Sequence, residues 1–96
     1  MQNISTEVPS AYSLGQNFPN PFNPTTNIRY ALPKSGMVKL VVFDALGREV
    51  ETLVNESQQA GKYETKFSGS ALTSGVYFYK LSVGDFTETK RMLMIK

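Results

Sequence analysis

The 96-residue chain contains no cysteine and no histidine. Their joint absence removes thiol nucleophiles, disulfides, Cys/His zinc sites and imidazole bases together. A fold without disulfides must hold itself by packing alone. Long apolar runs are missing too. No segment approaches the roughly 20 residues of a membrane-spanning helix, so no membrane insertion is expected. The opening residues, Met1-Gln2-Asn3-Ile4-Ser5-Thr6-Glu7, have neither the basic nor the apolar region of a secretory signal. The chain therefore reads as cytoplasmic or as a piece of a longer protein. Charge is sparse: 19% of residues are charged, for a net of +2. So small and scattered an excess does not point to nucleic acid.

Catalytic apparatus is equally thin. With imidazole and thiol gone, paired carboxylates are the remaining route to hydrolysis. The acids are Glu7, Asp44, Glu49, Glu51, Glu56, Glu64, Asp85 and Glu88. Glu49 and Glu51 share a strand face, and Glu64 lies between Lys62 and Lys66. This is the pattern of a solvated face with cross-strand charge pairs. A glycosidase needs two carboxyls facing each other across a cleft. Asn17, Asn20 and Asn23 are neutral and interleaved with proline, which fits turns better than calcium ligation. No catalytic residue, metal or cofactor is expected, and the chain is read as a non-enzyme. Phe78 and Phe86 are candidates for a carbohydrate platform; otherwise they pack under loops or a neighbouring domain.

What is present is strand pattern. Gly75–Val83 is the longest aromatic-rich run, bounded by Thr73-Ser74-Gly75 and Gly84-Asp85. As a strand it turns Tyr77, Tyr79, Leu81 and Val83 to one face. Asn27 to Leu32 alternates with Ile28, Tyr30 and Leu32 inward. Met37 to Phe43 places Val38, Leu40 and Val42 on one face and Val41 and Phe43 on the other, which predicts a strand in mid-sheet or one covered on both faces. Asp44-Ala45-Leu46-Gly47 predicts a tight hairpin, with the aspartate bonding forward and the glycine left-handed. The return strand, Arg48 to Val54, has Val50 as its expected core residue and a bulge near Thr52. Asn55 to Gly61 reads as a polar loop. Tyr63, Thr65 and Phe67 mark a further half-buried strand. Phe86 to Ile95 is the last, apolar on both faces toward its end, so its inward set stays open.

Residues 1–10 read as a flexible tail or linker, and Ala11 to Leu14 as a weak first strand. Between them and the sheet lies Phe18-Pro19-Asn20-Pro21-Phe22-Asn23-Pro24. Three prolines in six residues forbid helix and central strand and make a stiff, stepped loop. At least one of Phe18 and Phe22 should plug the core. About seven strands at roughly ten-residue spacing, with no helical period, predict an all-β fold over residues 11–96: an antiparallel immunoglobulin-like β-sandwich without disulfides. A small Greek-key barrel is the alternative. Tyr77 has the place of a corner tyrosine, its hydroxyl bonded to backbone near Leu72.

Three motifs then carry a resemblance. They are Asn17-Phe18-Pro19-Asn20-Pro21-Phe22-Asn23-Pro24-Thr25-Thr26 leading to Ile28-Arg29-Tyr30; Val38 to Val50 with Phe43-Asp44-Ala45-Leu46-Gly47-Arg48; and Leu72-Thr73-Ser74-Gly75-Val76-Tyr77 closed by Lys90-Arg91-Met92 and Lys96. In this order, Leu14 to Lys96 resembles the type A C-terminal sorting domain of the type IX (Por) secretion system. It is also similar to the immunoglobulin-like domain of flagellar hook-capping proteins. The resemblance implies an address rather than a catalyst. The attached cargo, usually a secreted enzyme joined at the N-terminus, would pass through the periplasm and meet the outer-membrane sorting machinery, ending secreted or on the cell surface. It further implies partner recognition through Pro19, Asn20, Pro21, Gly75, Tyr77, Lys90 and Lys96. The competing class is a structural or interaction module, either hook-cap-like or carbohydrate-binding.

Overall fold

The computed structural model describes Gln2–Ser5 by their backbone and residues 8–96 in full. Among the described residues eight strands occur: β1 (Gln2–Ser5), β2 (Ser13–Leu14), β3 (Thr25–Leu32), β4 (Gly36–Asp44), β5 (Glu49–Gln58), β6 (Gly61–Ser68), β7 (Gly75–Val83) and β8 (Phe86–Met94). They form two four-stranded antiparallel sheets, in the orders β1-β6-β3-β2 and β5-β4-β7-β8. The two sheets are separate ladders, so the chain is a β-sandwich and not a closed barrel.

Side-chain alternation dictates this layering. Ile28, Tyr30 and Leu32 of β3 and Tyr63, Thr65 and Phe67 of β6 are buried from one sheet. Val38, Leu40 and Val42 of β4 meet them with Tyr77, Tyr79, Leu81 and Val83 of β7 from the other. Each fully buried aliphatic or aromatic side chain contributes about 1.5–3 kcal/mol. β4, apolar on both faces, sits in mid-sheet between β5 and β7. β8 resolves its ambiguous end by turning Met92 and Met94 inward, leaving Leu93 and Ile95 outside. Phe22 plugs the core at 1% exposure, whereas Phe18 stands 78% exposed.

The β4–β5 hairpin closes as its chemistry requires. Asp44 Oδ1 accepts from the Leu46 and Arg48 N–H groups, both at 2.9 Å, and Gly47 has φ 84°. The hydroxyl of Tyr77 donates to Thr73 O at 2.7 Å, one residue from the expected Leu72 corner.

Three expectations change. The polar loop expected over residues 55–61 shrinks to Gln59 and Ala60: β5 runs to Gln58 and pairs with β4 down to Gly36, and β6 starts at Gly61. An edge strand needs only its backbone to pair, and Gln58 is buried because it accepts from the Tyr30 hydroxyl at 2.7 Å. Val50 is half-buried while Val54 takes the core place, because the β4–β5 register shifts on either side of Thr52 and Glu51. Finally, four residues read as tail, Gln2–Ser5, run as an edge strand along β6. There they occupy the unpaired backbone edge of β6.

Candidate functional site

β8 is the last strand and the outer one of its sheet. Such an edge presents unpaired N–H and C=O groups. At the C-terminal half of β8 the proline segment covers them. The Phe22 N–H donates to Leu93 O and the Ile95 N–H donates to Phe22 O, both at 2.9 Å, making a parallel bridge between Phe22 and Met94. The side chain of Asn20 accepts from the Leu93 N–H at 3.1 Å, and Gln16 Nε2 donates to Arg91 O at 2.7 Å.

The same segment begins on the other sheet. The Gly15 N–H donates to Arg29 O at 2.8 Å, and Phe18 and Asn27 exchange backbone bonds at 3.0 and 2.9 Å. Residues 15–22 thus step from the edge of one sheet to the edge of the other. Proline suits a step, because it has a fixed φ and no N–H to leave unpaired. The three X–Pro bonds, at Pro19, Pro21 and Pro24, are cis.

A buried polar cluster pins the step. Asn17, 2% exposed, donates through Nδ2 to Thr26 Oγ1 at 2.9 Å and to Pro19 O at 3.2 Å. Its Oδ1 accepts from Gln16 Nε2 at 2.7 Å. Thr26 Oγ1 donates to Pro19 O at 2.9 Å. From the opposite sheet the Tyr79 hydroxyl donates to Gly15 O at 2.6 Å and accepts the Asn17 N–H at 2.8 Å. Burial pushes the Tyr79 hydroxyl up to about 12. Among the described residues no buried side-chain nitrogen or oxygen lacks a partner.

The structure gathers some of the expected recognition residues and separates others. Pro19, Asn20 and Pro21 are exposed on the step, and Asn20 and Pro21 share a surface depression of about 400 Å³ with Val76, Arg91, Met92 and Leu93. Gly75 pairs with Met94 at φ 153°. Lys96, exposed, is tied by its N–H to Ser74 Oγ at 2.8 Å. Asn20, Pro21 and Gly75 thus lie against residues 91–94, and Lys96 ends the same stretch. Tyr77 is buried and its hydroxyl is used by the corner, so it offers a partner little surface. Lys90 lies further along β8, with its Nζ 3.3 Å from Glu88 Oε2. Gln16, Ser74 and Tyr79 were not singled out as site residues from the sequence, and Asn17 was weighed there only for calcium ligation. Their bonds span up to 75 positions of chain, which no local pattern encodes.

Residues 16–96 match the family model described as the secretion system C-terminal sorting domain. The chain belongs to that family, the sorting domains of type IX secretion. The match takes in the proline step from Gln16 onward and β3 to β8, and leaves out β1 and β2. No curated protein and no solved structure matches the chain. The domain is thus a C-terminal sorting signal of type IX secretion.

The other sequence candidates fall outside this edge. On the sorting domain Phe78 and Phe86 lie on opposite faces of their sheet, since Phe78 pairs with outward Arg91 and Phe86 with inward Val83. A coplanar carbohydrate platform is therefore not formed. Phe86 instead stacks on Tyr12, centroids 5.0 Å apart and 18° from parallel. Glu64 accepts from Arg29 Nε at 2.8 Å across strands, and Glu49 and Glu51 are exposed on β5.

Proposed function

We propose that this sorting domain directs an N-terminally attached cargo, a secreted enzyme, from the periplasm across the outer membrane through the type IX machinery. Its recognised surface is the β8 edge with the proline step on it. The observation that carries this reading is the convergence of Asn20 and Pro21 from one distant stretch, and of Ser74 and Gly75 from another, on residues 91–96, which end at Lys96. Pro19 and Tyr77 act by holding that surface, through the carbonyl bonded to Thr26 and the corner hydroxyl. Lys90 adds a cation beside it. β1, the strand nearest the N-terminus, lies at the far end of its own sheet from β2, and β2 is the strand that approaches β8. A cargo on that side leaves the edge open.

The test is a reporter carrying an N-terminal export signal and residues 1–96 at its C-terminus, expressed in a bacterium that has the type IX system. The reporter is expected outside the outer membrane, and its retention in the periplasm refutes the reading. Asn20→Ala, checked for an unchanged thermal midpoint, is expected to lower export several-fold; full export of a folded Asn20→Ala domain would show that the residue serves folding alone.

A further inference from the structure

The two outward faces of the sandwich differ in kind. On the β1-β6-β3-β2 sheet the outward positions of β3 and β6 include Asn27, Arg29, Glu64 and Lys66, with Arg29 and Glu64 paired at 2.8 Å. That face is polar and its opposite charges meet each other, as expected of a surface in water. The β5-β4-β7-β8 sheet turns an apolar band outward. Val41 and Phe43 of β4 stand beside Phe78 of β7, Val76 of β7 pairs with Leu93 of β8, and Leu93 shares its depression with Pro21. Val41 is only 3% exposed although it points away from the core, and Phe43, Val76 and Phe78 are half-buried.

The band is bordered mainly by positive charge. Register places Lys39, Lys80 and Arg91 on this face, and among the described residues Glu49 is the one acid it places there. Lys80 lies over the Phe43 ring, Nζ 5.8 Å from its centroid. Lys39 and Arg91 are exposed.

We propose that this face is a docking surface for an acidic protein partner whose own apolar side chains cover the band between Val41 and Pro21. The inference rests on the sorting reading above and extends the recognised surface from the β8 edge across the sheet. Charge complementarity selects the occupant. A second copy of the domain would bring the same cations against one another. A lipid surface is a poorer fit, because membrane insertion needs apolar side chains that protrude, and Val41 is buried while Phe43, Val76 and Phe78 are half-buried among their neighbours. The most protruding ones, Phe18 and Leu46 at 78% and 79% exposure, are not on the band.

The experiment uses the reporter carrying residues 1–96, with two double variants of equal charge change. Lys39→Glu/Arg91→Glu alters the apolar face, and Lys34→Glu/Lys66→Glu does not. Circular dichroism and thermal midpoints establish that both fold. Export is expected to drop at least tenfold for the first variant and to stay within twofold of the parent for the second. A milder Lys39→Gln/Arg91→Gln variant is expected to fall between the first variant and the parent, and it replaces the first if that one is unfolded. Equal export of parent and face variant overturns the inference while leaving the sorting reading intact. An equal drop for both variants overturns it too, as a net-charge effect. Failure of the parent itself to be exported overturns both readings. The purified domain is also mixed with phosphatidylglycerol vesicles. Sedimentation with them that the Lys39→Glu/Arg91→Glu change abolishes overturns the inference in favour of a membrane surface.

Discussion

Replacing Tyr79 by phenylalanine removes one oxygen and should loosen the whole proline step. The ring is wholly buried, so the substitution keeps the apolar packing. It deletes two hydrogen bonds, to Gly15 O at 2.6 Å and from the Asn17 N–H at 2.8 Å. Asn17 is buried, and its amide is left without a partner; such a group costs about 1–3 kcal/mol. Gly15 is half-buried, and its carbonyl can turn to water at about 0.5–1.5 kcal/mol for the lost bond. The sum is about 1.5–4.5 kcal/mol, a large share of the roughly 5–14 kcal/mol available to a domain of this size. At about 4–8 °C per kcal/mol, the thermal midpoint falls by roughly 6–36 °C. Urea unfolding measures the free energy directly. Amide exchange locates it, since Leu93 and Ile95 N–H groups should exchange by a local, urea-independent opening once their cover is loose. A loss under about 0.5 kcal/mol, with those two amides as protected as before, would refute the reasoning. The hydroxyl also sets a pH signature. Burial is the main cause of its rise to about 12, opposed by the Asn17 N–H and reinforced by Glu88. Its neutral form is thus favoured in the folded state over an unfolded value of about 10. The contribution is full below about pH 10 and lost as pH rises from there through the folded value. Its size is on the order of 2 kcal/mol, and Tyr79→Phe lacks that slope.

Two further expectations test the frame around the site. Tyr77→Phe removes the single corner bond to Thr73 O and should cost about 1 kcal/mol by urea titration, with export reduced no more than that loss of folding explains; an export defect in a fully folded variant would make Tyr77 a contact residue after all. Asp44 is held below the usual carboxylate range by hydrogen bonds, first from the Arg48 backbone and then from its side chain and Leu46. Its stabilisation is present above the ordinary carboxylate pKa and is lost as pH falls through the lowered one. Asp44→Asn should therefore flatten the acid limb of stability against pH below about 4, and an unchanged limb would mean the hairpin does not depend on this charge.

Much of the sandwich was legible because alternation is a local signal. Ile28, Tyr30 and Leu32, or Tyr77, Tyr79, Leu81 and Val83, announce an inward face from a few consecutive residues. The hairpin at Asp44 to Gly47 and the corner at Tyr77 were legible for a similar reason, since their bonds close within four residues. The polar end of β5 was not, because Asn55 to Gln58 are held by backbone pairing to β4 rather than by apolar side chains. The inward pair Met92 and Met94 was not either. Met92-Leu93-Met94-Ile95 is apolar at every position, and only the register with β7 chooses between its two faces.

The sequence alone settled that this is an all-β chain with two apolar layers, a stepped proline loop and a corner tyrosine, and its three motifs were enough to point to a sorting domain. Local spacing and turn chemistry carry that much. Only the tertiary structure decided that the proline step lies against the last strand, and that Asn17 and Tyr79 fasten it across the two sheets. It also decided that the outward band on β4, β7 and β8 is continuous with Pro21. These are contacts between residues as many as 75 positions apart, and their partners are selected by sheet order and register, which no short window of sequence contains.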